Sequence, residues 1–338
     1  MSTSGLVAQK ILYVSVHAHL ARSWREQQIQ STVNDFYAQL AAKFTHITMS
    51  SGPNVSYLGM NFLFSPGSCK VSMDGYVQDF LRDHPPSGHA PSPAAENLRD
   101  IDDSPPLDAE RKSNFHTATA KLLYLAKRVR PDLLVAVSYF TTRVQCPNES
   151  DGAKLDRAIN YLADTASDHI TLSPPQDDPL TVVAYVDASY SAHVDGKGHT
   201  GCIITLGGGP IYCRSSKQKS SSKSSTEAEL IALADSTSRI LWCIYFLEEQ
   251  GHIMPAGIIN RHTTYQDNLS TIGMLNNGRP KAERSLHIKK NLFWFKDVID
   301  EGLIKVTHLR TELMTADLLT KPKQGLVFRT LNAMVLGN

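Results

Sequence analysis

Apolar residues recur at helical spacing through Gln27–Phe44, Asn114–Val129, Leu133–Val144 and Asp151–Ala163, with a break at Arg130-Pro131. Between the first and second of these, Val55–Phe64 followed by Lys70–Met73 predicts a hairpin around Pro66-Gly67. From Leu180 the period changes. Thr181–Val186 is a β-branched run that stops at Asp187, Thr200–Leu206 is a second strand, and Gly207–Pro210 turns the chain into a third at Ile211–Cys213. Thr226–Gln250 then sets Leu230, Leu233, Ala234, Ser238, Leu241 and Tyr245 along one face, a long amphipathic helix with acidic residues in its first turn. A short strand leads to Asp267 and a short helix, His287–Asp300 is helical again, Leu303–His308 is a strand and Glu312–Leu319 a last helix. The order βββ, α, β, αα, β, α predicts an α/β (α+β) domain with a mixed sheet.

Punctuation divides the chain. Pro and small polar residues crowd 85–106 and 171–179, and both stretches read as linkers. The expected segments are therefore 1–84, a helical part at 107–170, the strand-rich domain at 180–324 and a tail at 325–338. The 338 residues suffice for such a division, and 41% hydrophobic with 20% charged residues describes an ordinary globular chain. No apolar run approaches the ~20 residues that span a bilayer, and the first residues lack the order of a signal peptide. The expectation is an intracellular protein, cytoplasmic or nuclear. Five scattered cysteines fit neither a disulfide framework nor a zinc site. A net charge of +1 argues against a general polyanion binder, although it can average a basic face with an acidic centre.

Four carboxylates fall where a catalytic centre needs them: Asp187 closing the first strand, Glu229 in the first turn of the long helix, Asp267 after the fourth strand and Asp317 on the last helix. Each has an ordinary explanation, since acids also cap helices and end strands. As a set on this element order they converge if the first and fourth strands are neighbours. Converging carboxylates repel unless a cation lies between them. Oxygen donors without a His or Cys cluster favour Mg²⁺, with Mn²⁺ as substitute, and two ions roughly 3.5–4 Å apart would act on a phosphodiester.

The segments YVDASY (185–190), LGGGPIYCRSSKQKSSSKSSTEAELIAL (206–233), QDNLSTIGML (266–275), RSLHIKKNLFWF (284–295) and TELMTADLLTKP (311–322) resemble the ribonuclease H domain of copia-type long-terminal-repeat retrotransposon Pol polyproteins. The resemblance implies a ribonuclease H-like five-stranded sheet with flanking helices. It implies that Asp187, Glu229, Asp267 and Asp317 hold the metal and cut the RNA strand of an RNA·DNA hybrid. Glu229 is preferred to Glu227 because Glu-Leu-Ile-Ala-Leu matches the pattern of such domains. Upstream, Phe115–Leu125, Arg130-Pro-Asp132, Ala136-Val137 and Tyr161-Leu162 look like the family's connection, and Val55–Met60 is similar to the primer-gripping hairpin of reverse transcriptase. Two departures stand out. Ile11–Val16 occupies the place of the family's Tyr-Val-Asp-Asp motif with Ser15 and Val16 where the aspartates belong, and the earlier palm has no room ahead of it. Residues 1–84 are thus expected to be a truncated, inactive polymerase remnant, unless a separate reverse transcriptase chain completes it. Ala188–Ala192 also replaces a stretch that usually carries a further acid and a glycine.

Basic residues flank the acidic positions. Arg214, Lys217, Lys219 and Lys223 lie in a Ser/Lys-rich stretch expected between the third strand and the long helix, and Arg284, Lys289 and Lys290 form a second bank. Both suit phosphate oxygens, with Asn268 a candidate for contact to a 2′-hydroxyl. His193, His199 and His308 are assigned no catalytic role. Trp242, Phe293, Trp294 and Phe295 are expected to be core. The rival to a nuclease is a non-catalytic nucleic-acid-binding remnant of a decayed element.

Overall fold

The structure, a computed structural model, describes residues 26–45, 52–174, 180–252, 262–277 and 286–338. Ile11–Val16, with the expected loss of the polymerase aspartates, lies outside the described residues. After α1 (Glu26–Ala41), strands β1 (Asn54–Tyr57), β2 (Met60–Ser65) and β3 (Ser68–Ser72) form an antiparallel meander. The predicted single hairpin is therefore two, with the extra turn at Leu58-Gly59, where both residues take positive φ. Helices α2 (Asp74–Asp83), α3 (Ala109–Ala126), α4 (Leu134–Arg143) and α5 (Glu149–Asp164) follow, and β4 (Ile170–Leu172) returns to pair with β3.

The second half holds β5 (Val183–Ser189), β6 (Lys197–Thr205), β7 (Pro210–Ser221), α6 (Ser225–Glu249), β8 (His262–Gln266), α7 (Leu269–Asn277), α8 (Leu286–Asp300), β9 (Ile304–His308) and α9 (Gly325–Leu336). Its five strands run in the order β7-β6-β5-β8-β9, antiparallel among the first three and parallel from β5 through β9. The first and fourth strands of this sheet are neighbours, which meets the condition for the carboxylates to converge, and the mixed α/β class holds. One face packs Val182, Ala184, Val186 and Ile204 against α6, whose Leu230, Leu233, Ile240 and Leu247 complete that core. α6 is the one described helix long and apolar enough to cross a membrane, but most of its apolar window is covered by the fold.

The other core joins β2, β3 and α2–α5 to Ile203 of the second sheet and to α9. Several expected boundaries change as a result. The 85–106 stretch is not a linker without packed structure: it buries Ala90, Ser92, Ala94 and Leu98 and makes a 3-10 turn at Glu96–Arg99. Small residues there fit close against helices, a property that turn-rich composition hides. The 325–338 tail is helix α9, with Phe328, Leu331, Val335 and Leu336 in the first core. Of 171–179, residues 171 and 172 belong to β4 and Ser173 bridges to Gly208, while 175–179 lie outside the described residues. Glu312–Leu319 is two 3-10 turns, Thr311–Leu313 and Thr315–Leu319, and not one helix.

The first core is pinned by a buried polar network. Arg130, fully buried, donates to Asp132 through Nε and through Nη2 at 2.7 Å, and to the Thr165 carbonyl at 2.8 Å. Tyr161 donates to the same Asp132 carboxylate at 2.8 Å, and Asn332 of α9 donates to the Tyr161 hydroxyl. Charges so deep are tolerated only because each is paired and hydrogen-bonded.

Candidate active site

The local sequence of α6 separates two glutamates two residues apart. Ser224 caps the helix by accepting from the Glu227 amide at 3.2 Å, and the Glu227 carboxylate accepts from the Lys223 amide at 2.7 Å. Glu227 thus serves the helix start. One half-turn on, Glu229 is buried against the end of β5, where the Ala188 amide donates to its carboxylate.

Asp187, Glu229 and Asp267 each offer an oxygen within 4.8 Å of the others. Asp187 and Glu229 are buried and Asp267 is half-buried. Burial, reinforced by the neighbouring Asp317 and Asp267 charges and opposed by Lys321, pushes the Asp187 carboxyl up to about 7. Burial and then the Asp187 charge drive Glu229 well above the usual carboxylate range. Two buried carboxyls this close repel when both are charged, and a cation between them would relieve that repulsion. The donor set is oxygen throughout, which suits a hard divalent ion.

Gln266, the last residue of β8 and fully buried, organises this group and was not anticipated from the sequence. Its Nε2 donates to Glu229 at 3.1 Å, and its Oε1 accepts from the Asp267 and Asn268 amides at 2.8 and 3.0 Å. A lone glutamine beside Asp267 gave no signal, because its role depends on α6 lying across the strand end. Thr311 donates to Asp267 from the other side at 3.0 Å.

Asp317 is near but does not join the three among the described residues. Its carboxylate pairs with Lys321 at 2.8 Å and closely with Lys323. Lys321 also lies 3.8 Å from Asp187. Burial works against the Lys321 charge, but Asp187 and Asp317 outweigh it and raise its pKa. Thr320 donates a short hydrogen bond to Asp187.

The basic bank on β7 is divided. Arg214, Lys217 and Lys219 sit on the strand, which extends to Ser221, and not in a loop after it. Alternation sends Arg214 and Lys217 to opposite faces. Arg214 donates to the Asp235 carbonyl on α6 at 3.0 Å, and Lys217 pairs with Asp195 at 2.8 Å. Lys219 and Lys223 are exposed. Asn268 accepts from the Thr271 amide at 3.1 Å, the role of a helix cap for α7. Lys289 and Lys290 lie on the backbone of α8, and Arg284 is outside the described residues. Phe295 is core as expected, whereas Phe293 and Trp294 are exposed.

His193 and His199 form a chain instead of a catalytic pair. Ser215 donates to the Leu319 carbonyl at 2.7 Å, so its oxygen accepts from His199 Nε2 at 2.8 Å. His199 Nδ1 then accepts from His193 Nε2 at 3.0 Å. Burial lowers both imidazole pKa values, His193 to about 4, and the neutral rings suit this one-way chain.

A mixed five-stranded sheet carrying three clustered carboxylates at one strand end defines an α/β domain with a candidate metal centre. The chain is 28% identical over 280 residues to the retrovirus-related Pol polyprotein from transposon TNT 1-94 of Nicotiana tabacum, covering 80% of this chain and 20% of that one. It is 30% identical over 224 residues to the Pol polyprotein from transposon RE2 of Arabidopsis thaliana, covering 66% of this chain and 15% of the relative. The chain is thus similar to copia-type retrotransposon Pol polyproteins over most of its length, and it spans about a fifth or less of the length of these relatives. No family model matches. Among solved structures, LC11-RNase H1 from compost is similar over 41% of this chain and 91% of its own, at 14% identity and a TM-score of 0.31.

Proposed function

We propose that residues 180–324 are a ribonuclease H-type endonuclease that cuts the RNA strand of an RNA·DNA hybrid with Mg²⁺, inside the cell. The observation that carries this reading is the Asp187–Glu229–Asp267 cluster, two of its acids buried and the third half-buried, mutually repelling and built only of oxygen donors. The relatives and the strand order support it. Divalent ions bound there would supply an activated water and neutralise charge on the leaving oxygen of a phosphodiester. Asp187, Glu229 and Asp267 hold the metal. Gln266 fixes Glu229 against the Asp267 turn, so the donors need no rearrangement to receive an ion. Asp317 completes the set for a second ion if Lys321 and Lys323 move aside.

Lys219 and Lys223, together with Arg284, Lys289 and Lys290, serve the hybrid's phosphates. Arg214 and Lys217 contribute less, being held by Asp235 and Asp195. No DNA synthesis by this chain is expected, because Ser15 and Val16 stand where the polymerase aspartates belong.

The test is cleavage of a labelled hybrid with Mg²⁺. Asp187→Asn is expected to abolish it while leaving hybrid binding. An unchanged rate would overturn the assignment, and salt-dependent hybrid binding without metal-dependent cleavage by the wild type would favour the non-catalytic remnant.

A further inference from the structure

The 3-10 turn at Glu96–Arg99 belongs to the first core, more than eighty residues ahead of β5, yet Arg99 reaches the metal side of the second sheet. Its Nη2 donates to the Thr320 carbonyl at 2.7 Å. Thr320 is fully buried, and its hydroxyl is the donor to the Asp187 carboxylate. One residue therefore takes a bond from the upstream segment on its carbonyl and passes another to a candidate metal ligand from its side chain.

The same strap is held at a second point. Ser92 donates to the Gln324 side chain at 2.8 Å, Gln324 donates closely to the Ala94 carbonyl, and Arg157 of α5 supports Ser92 at 3.0 Å. Held at Thr320 and at Gln324, the strap Thr315–Lys323 places the Thr320 hydroxyl and the Lys321 amine beside Asp187, with Asp317 paired to Lys321. A 3-10 strap has few internal hydrogen bonds to fix its own position, so outside partners decide where its side chains lie.

We infer that Arg99 is a positioning residue for the metal centre: by holding the Thr320 carbonyl, it aims the Thr320 hydroxyl at one Asp187 oxygen and leaves the other for the ion. The inference rests on the reading of Asp187 as a metal ligand. It makes the upstream segment part of the nuclease site. Without the guanidinium, the strap loses its anchor on that side, and the Thr320 hydroxyl can turn to its alternative acceptor, the Asp317 carbonyl at 3.2 Å.

The experiment measures Mn²⁺ binding to the full chain by the electron paramagnetic resonance signal of the free ion, with no substrate and no turnover. Arg99→Met is expected to weaken binding roughly tenfold or more, the usual range for loss of a group that orients a ligand. Thr320→Val should weaken it similarly, and Arg99→Met with Thr320→Val should be no worse than the weaker single variant, because both act through one hydroxyl. Arg99→Lys, which keeps a charged donor, should recover part of the loss. Wild-type affinity in Arg99→Met, or losses that multiply in the double variant, would overturn the inference and leave the nuclease reading standing. Should Arg99→Met not fold, Arg99→Lys alone and combined with Thr320→Val carries the same comparison. If the wild type takes up no Mn²⁺ and matches Asp187→Asn, both readings fall.

Discussion

Glu227 and Glu229 are separated by two residues and by entirely different work. The first answers the Lys223 amide at the helix start, and the second faces Asp187 and Gln266. Glu227→Ala is expected to cost about 1 kcal/mol of stability, as lost caps do, and to leave Mn²⁺ affinity near that of the wild type. Glu229→Gln should behave oppositely, which calorimetric binding and urea unfolding of the two variants will check. The raised Asp187 pKa has a sign that can be worked out. Below 3.8 the carboxyl is protonated in both states; between 3.8 and about 7 the unfolded chain gives up a proton that the native state keeps. The stability this group contributes is therefore full below that window and lost as pH rises through about 7. Metal-free protein should show a urea midpoint that falls from pH 4.5 to 7.5, less steeply in Asp187→Asn, and recovers at pH 7.5 on adding Mn²⁺. The three carboxylates were legible as residues because they end strands and begin a helix. Gln266 was not, since nothing local distinguishes a structural glutamine from one lying under a neighbouring helix.

At the scale of elements, β6 and the strap over it show how closely packing is set. Gly201 pairs with Asp187 across the β5–β6 ladder. A Cβ built there would lie 2.6 Å from the Ala316 carbonyl and 2.7 Å from the Thr320 methyl, so the strap rests directly on the strand. Gly201→Ala must lift it, with an expected loss of about 1–3 kcal/mol from overpacking and a weaker hold on Mn²⁺, measured by unfolding and binding on the same sample. Ser191 has φ of 49° in the stretch where the family resemblance expects a glycine. The strand predictions held where β-branched runs were long. The third strand ran eight residues beyond its predicted end because Ser and Lys side chains can line an edge strand, a fate their propensities do not advertise.

For the whole molecule, the two halves share side chains across their boundary. Ile203, Leu318 and Leu319 from the second half and Phe328, Leu331, Val335 and Leu336 from α9 all pack in the first core. Arg130 lies near the centre of that arrangement, through Asp132 and Tyr161 to Asn332. Arg130→Ala leaves Asp132 buried without its partner and should cost about 3–5 kcal/mol. Because α9 and the strap belong to the same packed body, its urea unfolding should also lower Mn²⁺ affinity at denaturant concentrations where wild type still binds. A segmentation into remnant, linker, connection, nuclease and tail follows the composition, but composition registers turns and not what they are pressed against.

By itself the sequence determined what short-range chemistry can determine: the alternation that makes strands, the spacing that makes helices, and the motif blocks by which this chain resembles the copia-type Pol polyproteins. The tertiary structure alone decided which acids meet, since Asp187, Glu229 and Asp267 come together only through β5–β8 pairing and the crossing of α6. It also decided that Asp317 is held by lysines, that Arg214 and Lys217 face apart, and that residues 85–106 and 325–338 are packed. Each of these depends on long-range closure, where burial and the position of distant charges outweigh the preferences of neighbouring residues.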